Sequence, residues 1–306
     1  MQKKHSKYAR MTTNDRIFDA VNYSILGLLL LIFIAPLLNV LSSSFSNPDM
    51  ITSGKVWLFP KEFTLEGYAE LGKMEKIWIG YANSVFYTVV GTIVNLIITI
   101  MCAYPLSKKD LVGRNFFMGI FSFTMFFGGG LVPTFMLVRS LGLLGSRAAL
   151  IIPGAMSVYN MIIARTFFST SIPAELYDAA EIDGCNELAT IIRIVIPLSA
   201  PIIAVLGLYY AVAHWNSYFS ALIYLSDSSK YPLQLVLRDF LLSQKSWDDM
   251  LSSASTEAQA QIVEEMKKRE LMKYVVIVVA ALPMCIIYPF IQKFFIKGVM
   301  VGAIKG

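Results

Sequence analysis

The chain is poor in charge. Asp, Glu, Lys and Arg make up 15% of its 306 residues, against about 25% in soluble domains, and they gather into a few short stretches. Alongside 56% hydrophobic content, that scarcity excludes an ordinary soluble fold. Histidine is scarcer still, with only His5 and His214. There is no HExxH pair, and no Ser or Cys sits beside a second His or an acid as an activated nucleophile does. The common hydrolytic sites are excluded and no catalytic residue is expected. The three cysteines, Cys102, Cys185 and Cys285, show no CxxC spacing and cannot all pair. Neither a zinc site nor a disulfide framework follows, and two of the three fall in apolar runs where Cys packs as a small hydrophobe. No bound metal is expected. The net charge of +5 gives no reason to expect a nucleic-acid partner.

What is present is apolar sequence in long runs. Six segments, 18–43, 81–106, 115–138, 148–168, 201–225 and 271–295, each reach the roughly 20 residues that a bilayer core demands of a helix. The expected fold class is all-α and integral to the membrane, with six transmembrane helices. Residues 1–17 read as an N-terminal tail and 18–306 as one six-span domain. Lys3, Lys4, Lys7, Arg10 and Arg16 precede the first span, where cations mark the cytoplasmic side. A cleaved signal peptide is the rival reading, but Pro36 and Asn39 would interrupt its apolar core before a weak SSSFS site. With the N-terminus inside, 107–114 and 169–200 are cytoplasmic, 44–80, 139–147 and 226–270 lie outside, and the C-terminus returns inside. Lys and Arg are nearly balanced between the sides, so the orientation rests on the basic N-terminus and the short first inner loop.

Proline and glycine punctuate these spans, most of all in FFGGGLVPTF, with Gly128–Gly129–Gly130 and Pro133. Breaks of this kind persist in lipid where neighbouring helices or a cavity satisfy the freed backbone. That places the stretch at a helix–helix interface or a pathway, with close packing alone as the alternative. The outer segment 226–270 reads as a short cap, part of it helical.

One polar stretch stands apart: ELYDAAEIDGCNELATIIRIVIPLSAP, residues 175–201, which carries Glu175, Asp178, Glu181, Asp183 and Glu187. Pro173 suits the first turn of a helix, and Ser171 is placed to cap it from just outside. Leu176, Ala179, Ala180 and Asp183 then follow at three- and four-residue spacing, while Glu175, Asp178 and Glu181 drift across a neighbouring side. Gly184 is positioned to leave the helix with positive φ. A second short helix from about Asn186 carries Leu188, Ile191, Ile192 and Val195 until Pro197 stops it. The expected product is a helix–turn–helix outside the lipid, with an apolar knob and an acidic rim. That is a docking surface for a partly basic partner.

The residues DAAEIDG followed by IVIPLSAP resemble the EAA loop of ABC-importer permeases: Glu-Ala-Ala, three residues, Gly, then a later Ile-x-Leu-Pro. The matching positions are Asp178, Ala179, Ala180, Gly184, Ile194 and Pro197. Asp178 stands where the family usually has Glu, and Ile196 where it has Leu. GGGLVPTFMLVRSLGL, AHWNSYFSALIYL, YPLQ and the ending YPFIQKFFIKGVMVGAIKG look like the maltose-type carbohydrate permeases, most of all the branch serving complex oligosaccharides and polysaccharide fragments. The resemblance implies a type I ABC importer permease fold whose loop 169–200 holds a coupling helix, seated in a cleft of a cytoplasmic ATPase. It implies that Glu175, Asp178, Ala179, Ala180, Glu181, Asp183, Gly184 and Pro197 serve that contact, joined by Gly302, Lys305 and Gly306 of the tail. The implied partners are a second permease subunit making a heterodimer, an ATPase dimer, and an extracellular solute-binding lipoprotein touching 226–270. The implied cargo is an oligosaccharide, and the implied location is a bacterial plasma membrane. No cofactor is expected on this chain; ATP and magnesium would belong to the ATPase.

A nucleotide site of the chain's own would need the GxxxxGK[ST] phosphate loop. GYAELGKM, Gly67 to Met74, fits the first seven positions, but Met74 replaces the magnesium-binding hydroxyl and Glu70 would sit among phosphates. No strand precedes it, so the match is chance. Within the membrane the fifth span, GLYYAVAHWNSYFSALIY, is the most polar. On one helix Tyr210, His214, Ser217, Tyr218 and Ala221 share a face. Tyr210, His214, Asn216, Ser217, Tyr218 and Asn160 are substrate-pathway candidates, with Asn83 and Tyr159 as weaker ones, because rings with hydroxyl and imidazole partners suit sugars. The alternative is that His214 and Asn216 hydrogen-bond a neighbouring helix. Three other functions compete. An ion-coupled secondary transporter would want charges deep in its spans, and these spans carry them only at their ends. A membrane enzyme lacks its site, and a permease for amino acids or metals would share the acidic loop.

Overall fold

The structure, a computed structural model, describes residues 12–242 and 255–303. Among these all regular structure is helical. They divide into two compact units, one drawn from Met1–Lys73 and Gln244–Val279, the other from Met74–Ser243 and Ala280–Gly306.

In the first unit, helix α1 (Thr13–Ser44) opens with a capping box. Thr12 Oγ1 accepts from Asp15 N at 3.3 Å, and Asp15 Oδ2 accepts from Thr12 N at 2.9 Å, which satisfies two otherwise orphaned donors. The apolar stretch of α1 is left unburied by this chain, and Pro36 lies within it without ending it. The last turn differs: Ser42, Ser43, Ser44 and Ser46 are buried. Ser42 Oγ donates to Leu58 O at 2.7 Å, and Ser46 Oγ accepts from Lys61 N at 3.0 Å. The SSSFS run is thus a set of clasps on the returning backbone. A five-residue helix, Pro48–Thr52, then helix α2 (Glu66–Lys73) and the first part of a 48-residue helix, Thr256–Ala303, complete the helices of this unit among the described residues. The GYAELGKM segment is therefore helical, with Gly67 buried, whereas a phosphate cradle needs an open loop.

The second unit is organised around helix α3 (Glu75–Ser107). After it come α4 (Arg114–Phe126), α5 (Leu131–Ser140), α6 (Val158–Ser171), α7 (Ala174–Ile182), α8 (Glu187–Leu198), α9 (Ala200–Trp215), α10 (Phe219–Tyr224) and α11 (Leu233–Leu242). The remainder of the 48-residue helix, here α12, closes the unit; Pro283 and Pro289 lie inside it. Helices α6, α9 and α11 all pack on α3. At the Ser107 end, Ile100, Ala103, Tyr104 and Leu106 meet Met161, Ala164 and Phe168 of α6, with Val195 and Leu206. Ala103 and Ala164 are wholly buried. Among lipids, helices gain little from leaving the solvent and associate through close packing and hydrogen bonds, which favours such small residues.

Among the described residues three helices are long and apolar enough to cross a membrane: Thr13–Ser44, Glu75–Ser107 and Ala258–Pro289. Two bent pairs would each supply a further span. The expected span 115–138 is one of the pairs, since the chain bends by 114° between α4 and α5 across Gly128–Gly130. No heavy atom lies within 4 Å of a Cβ position at Gly128 or Gly130, so these glycines serve the turn rather than close packing within this chain. The segment 148–168 is not one helix either. It starts in a 3-10 turn at Arg147–Leu150, passes Pro153–Gly154 and becomes helical at Val158, where Ser157 caps it. The 14 residues of α6 rise about 21 Å, short of a hydrocarbon core of about 30 Å.

Pro197 does not stop α8, contrary to the expectation from sequence. It lies in the closing turn Ile196–Leu198, after a π-wound stretch Ile191–Val195. A proline ring crowds the carbonyl four residues back and lacks a donor. The wider π turn, in which Ile196 N bonds Ile191 O, accommodates both demands. The chain turns instead at Ser199, where α8 and α9 meet at 87°.

Candidate functional site

The acidic stretch folds as an elbow. Pro173, with ψ of 140°, is the residue before α7, and Ser171 ends α6 instead of capping α7. An extended residue ahead of the first turn is what a proline φ allows, so the cap position moves two residues later than expected. The helix closes in a Schellman motif: Gly184 N bonds Glu181 O at 3.0 Å and Cys185 N bonds Ala180 O at 2.9 Å. Gly184 has φ of +74°, which a residue with Cβ resists. Asn186 then caps α8, its Oδ1 accepting from Ala189 N at 2.8 Å. Glu175, Asp178, Ala179, Glu181 and Asp183 are exposed, and Ile182 is 86% exposed. Ala180 is buried, so of the two alanines in the motif only Ala179 is open to a partner.

The inner side of the elbow is held by the end of α3. Tyr104 OH donates to Glu187 Oε2 at 2.5 Å, and Lys108 Nζ donates to both carboxylate oxygens at 2.9 and 3.0 Å. Lys108 Nζ also lies 4.9 Å from the Tyr104 ring centre and 5.5 Å from that of Tyr177, within cation–π range. The Tyr104 hydroxyl, then the Lys108 ammonium, hold the Glu187 carboxyl below its ordinary range. The Tyr177 hydroxyl is buried without a partner.

A second polar group lies in the seam between α3 and α9. His214 Nε2 faces Asn95 Oδ1 at 2.7 Å, and Asn95 Nδ2 donates to Gly154 O at 2.7 Å. With its amide nitrogen spent on Gly154, Asn95 offers an oxygen to the ring, so Nε2 carries the hydrogen. Tyr210 OH pairs with Thr99 Oγ1 at 2.7 Å and accepts from Ser157 N at 3.1 Å. The two helices approach so closely that a Cβ on Gly91 would stand 2.4 Å from His214 Nε2. Only glycine fits there.

The pathway candidates therefore separate into two sets. Tyr210, His214 and Asn160 are buried or half-buried, the first two bonded to neighbouring elements. Ser217 and Tyr218 do not share their helix face, because α9 ends at Trp215. Asn216 occupies the cap, with its Nδ2 turned back to Val212 O at 2.9 Å, the local bonding by which Asn competes with helix continuation. Asn216 and Tyr218 are exposed and Ser217 is partly so. Asn83 is committed elsewhere: its amide donates to Ser229 O and Tyr231 O and accepts from Arg147 Nη2. Lys305 lies outside the described residues. Reading from sequence missed Asn95, Thr99, Tyr104 and Lys108. For the first two a signal existed, since Ser84, Thr88, Gly91, Asn95 and Thr99 recur every three or four positions along an apolar run.

Residues 77–301 match the family described as binding-protein-dependent transport system inner membrane component. Two proteins of Bacillus subtilis strain 168 are each 40% identical. One is the polygalacturonan/rhamnogalacturonan transport system permease protein YtcP, aligned over 95% of this chain and 99% of its own length. The other is Protein LplC, aligned over 96% and 97%. A chain from the crystal structure of a bacterial ABC transporter involved in import of the acidic polysaccharide alginate superposes with a TM-score of 0.83 at 34% identity. That match covers 93% of this chain and 99% of the other.

Proposed function

This chain belongs to the family of binding-protein-dependent transport system inner membrane components, and on that premise we propose that it is the permease subunit of an ATP-driven importer. It forms half of a translocation pathway for oligosaccharides and works by alternating access. As a permease it makes and breaks no bonds. The substrate class rests on relatives named for polygalacturonan and rhamnogalacturonan and on a structural neighbour in alginate import. All three are polysaccharides rich in acidic sugars, so short uronate oligomers are the first class to test.

The observation that carries the mechanism is the elbow. Its outer side presents Ile182 among Glu175, Asp178 and Glu181, none of which forms an ion pair among the described residues. Its inner side is bonded to the longest helix of its unit that lies wholly within it, α3. A surface with unspent carboxylates around an apolar knob suits a cleft bearing arginine or lysine. In the proposed cycle, ATP and magnesium bind a separate ATPase dimer, which closes on the elbow and displaces it. The membrane helices then rock from inward-open to outward-open and take sugar from a docked solute-binding lipoprotein. Six crossings, counting bent and short helices, with both termini cytoplasmic, are the topology this requires. A second, related permease subunit supplies the other half. At the α9–α10 break Asn216, Ser217 and Tyr218 meet the sugar, while Tyr210, His214 and Asn160 keep that region in place.

Reconstitution tests this. The complete complex in proteoliposomes should accumulate uronate oligomers only with ATP and binding protein, and this chain by itself should accumulate none. Asp178→Lys should reduce ATPase co-purification severalfold. Undiminished recovery of the ATPase would remove the acidic rim from the docking surface, and uptake by the lone chain would end the importer reading.

A further inference from the structure

We propose that Tyr104, Lys108 and Glu187 form the joint through which displacement of the elbow reaches the membrane helices, so that α3 and both elbow arms move as one body. This rests on the importer reading and assigns the positioning residues of its coupling step.

The covalent exits from the elbow are poorly suited to carry force. Toward α6 the chain passes through Ile172 and Pro173, both extended, with ψ of 116° and 140°. Toward α9 it passes through the π-wound stretch and the 87° bend at Ser199, whose hydroxyl is buried without a partner. Neither exit is a continuous helix. The non-covalent route is direct. Lys108 sits at the C-terminal cap of the 33-residue α3 and touches both arms at once, Tyr177 on α7 and Glu187 on α8, on either side of the Gly184 turn.

An exposed ion pair by itself contributes little. Here the Glu187 side chain is 70% exposed but that of Lys108 only 25%, the ammonium lies against two rings, and the carboxylate takes a third bond from Tyr104. Three hydrogen bonds from two donors converging on one carboxylate fix its position as a single bond does not. A cation at the C-terminal cap of α3 also sits where the helix dipole favours it.

The test uses the full complex, with ATPase, second permease and binding protein, in proteoliposomes. The readout is sugar moved per ATP hydrolysed. Lys108→Gln and Glu187→Gln should assemble at wild-type yield and still hydrolyse ATP, with that ratio lowered about fivefold or more, the scale of a typical coupling between sites. Exchanging the charges, Lys108→Glu with Glu187→Lys, should recover most of what either reversal loses, and Lys108→Arg should stay near wild type. A double-mutant cycle isolates the pair. A wild-type ratio in Lys108→Gln, or an exchange that recovers nothing, overturns the joint. So does failure of both Lys108→Gln and the milder Tyr104→Phe to assemble, which would make the cluster a folding element only. If the wild-type complex shows no ATP-driven uptake, it is the importer reading that falls.

Discussion

The elbow and the α3–α9 seam belong to the same unit, yet they hold their shapes by opposite means. The turn of the elbow is made by local bonds, the Schellman pair at Gly184 and the Asn186 cap, each spanning five residues or fewer, and its ties to a distant helix are confined to the inner side, at Glu187. Its outward side chains are left exposed. The seam is held by bonds between residues far apart in sequence, 119 positions for His214 and Asn95 and 111 for Tyr210 and Thr99, and these four side chains are buried or half-buried and bonded. Among lipids, polar side chains serve best as specific contact points between helices. A surface meant for a partner in water can be built from turn chemistry and keep its charges unpaired.

The comparison breaks most readily at Gly91. A side chain there meets the His214 ring, which is itself held by Asn95. Overpacking costs about 1–3 kcal/mol and sometimes more, and here it also displaces the bond to Asn95. Gly91→Leu should lower both complex yield and uptake by roughly tenfold or more, and adding His214→Ala should restore part of the yield by making room. A single variant with normal yield would show that the seam is looser than a lock.

Gly184 is the counterpart in the elbow, and its constraint is of another kind. Nothing lies within 4 Å of its Cβ position, but φ is +74°. Left-handed backbone costs a residue with Cβ about 1–2 kcal/mol, most for a branched one. Gly184→Val should therefore insert and assemble normally while uptake falls roughly tenfold. Gly184→Asn should be close to wild type, because Asn tolerates that region. Equal loss in both would mean the position senses volume, and the contrast with Gly91 would vanish.

A smaller effect is expected from the seam's hydrogen bond. Such bonds between membrane helices average about 0.6 kcal/mol, with a maximum near 1.7. A cycle of His214→Ala and Asn95→Ala, followed by unfolding of the purified chain in mixed detergent, should give a coupling within that range. Asn95→Ala taken singly should cost more than His214→Ala, since it also abandons Gly154 O. Zero coupling would mean that the two side chains are neighbours without being partners.

This contrast also explains what could be read from the sequence. Gly184, Asn186 and the exposed carboxylates were legible because local chemistry dictates them, and α1 and α3 because they are long and uniformly apolar. The glycines and prolines at Gly128–Gly130 and Pro153 were legible as breaks, but not how far they turn the chain. The end of the helix at Asn216 inside 201–225 was not read at all. In both cases a hydropathy window adds up composition and is blind to geometry. Ser171 was misplaced for a similar reason, since a potential cap in one helix is also a usable last residue of the one before. Tyr104 and Lys108 lie 83 and 79 positions from Glu187, and nothing local announces that distance will close. Polarity in the fifth span drew together residues of two kinds, Tyr210 and His214, bonded to neighbouring elements, and Asn216 and Tyr218, exposed past the end of the helix.

That last division gives the smallest and most pointed prediction. Asn216 is exposed, and the hydrogen bond its side chain donates goes to Val212 O of its own helix. Truncating it forfeits a bond within its own helix, worth about 1 kcal/mol, so Asn216→Ala should leave yield, assembly and ATP hydrolysis close to wild type. A lost hydrogen bond to a sugar hydroxyl is worth about 0.5–1.5 kcal/mol, which corresponds to a rise in the transport KM of roughly two- to tenfold. His214→Ala should behave in the reverse way, with lower stability and a KM that follows only through the loosened seam. If Asn216→Ala leaves KM untouched while His214→Ala raises it at unchanged stability, then the sugar meets the seam and not the α9–α10 break, and the roles assigned to the two regions must be exchanged.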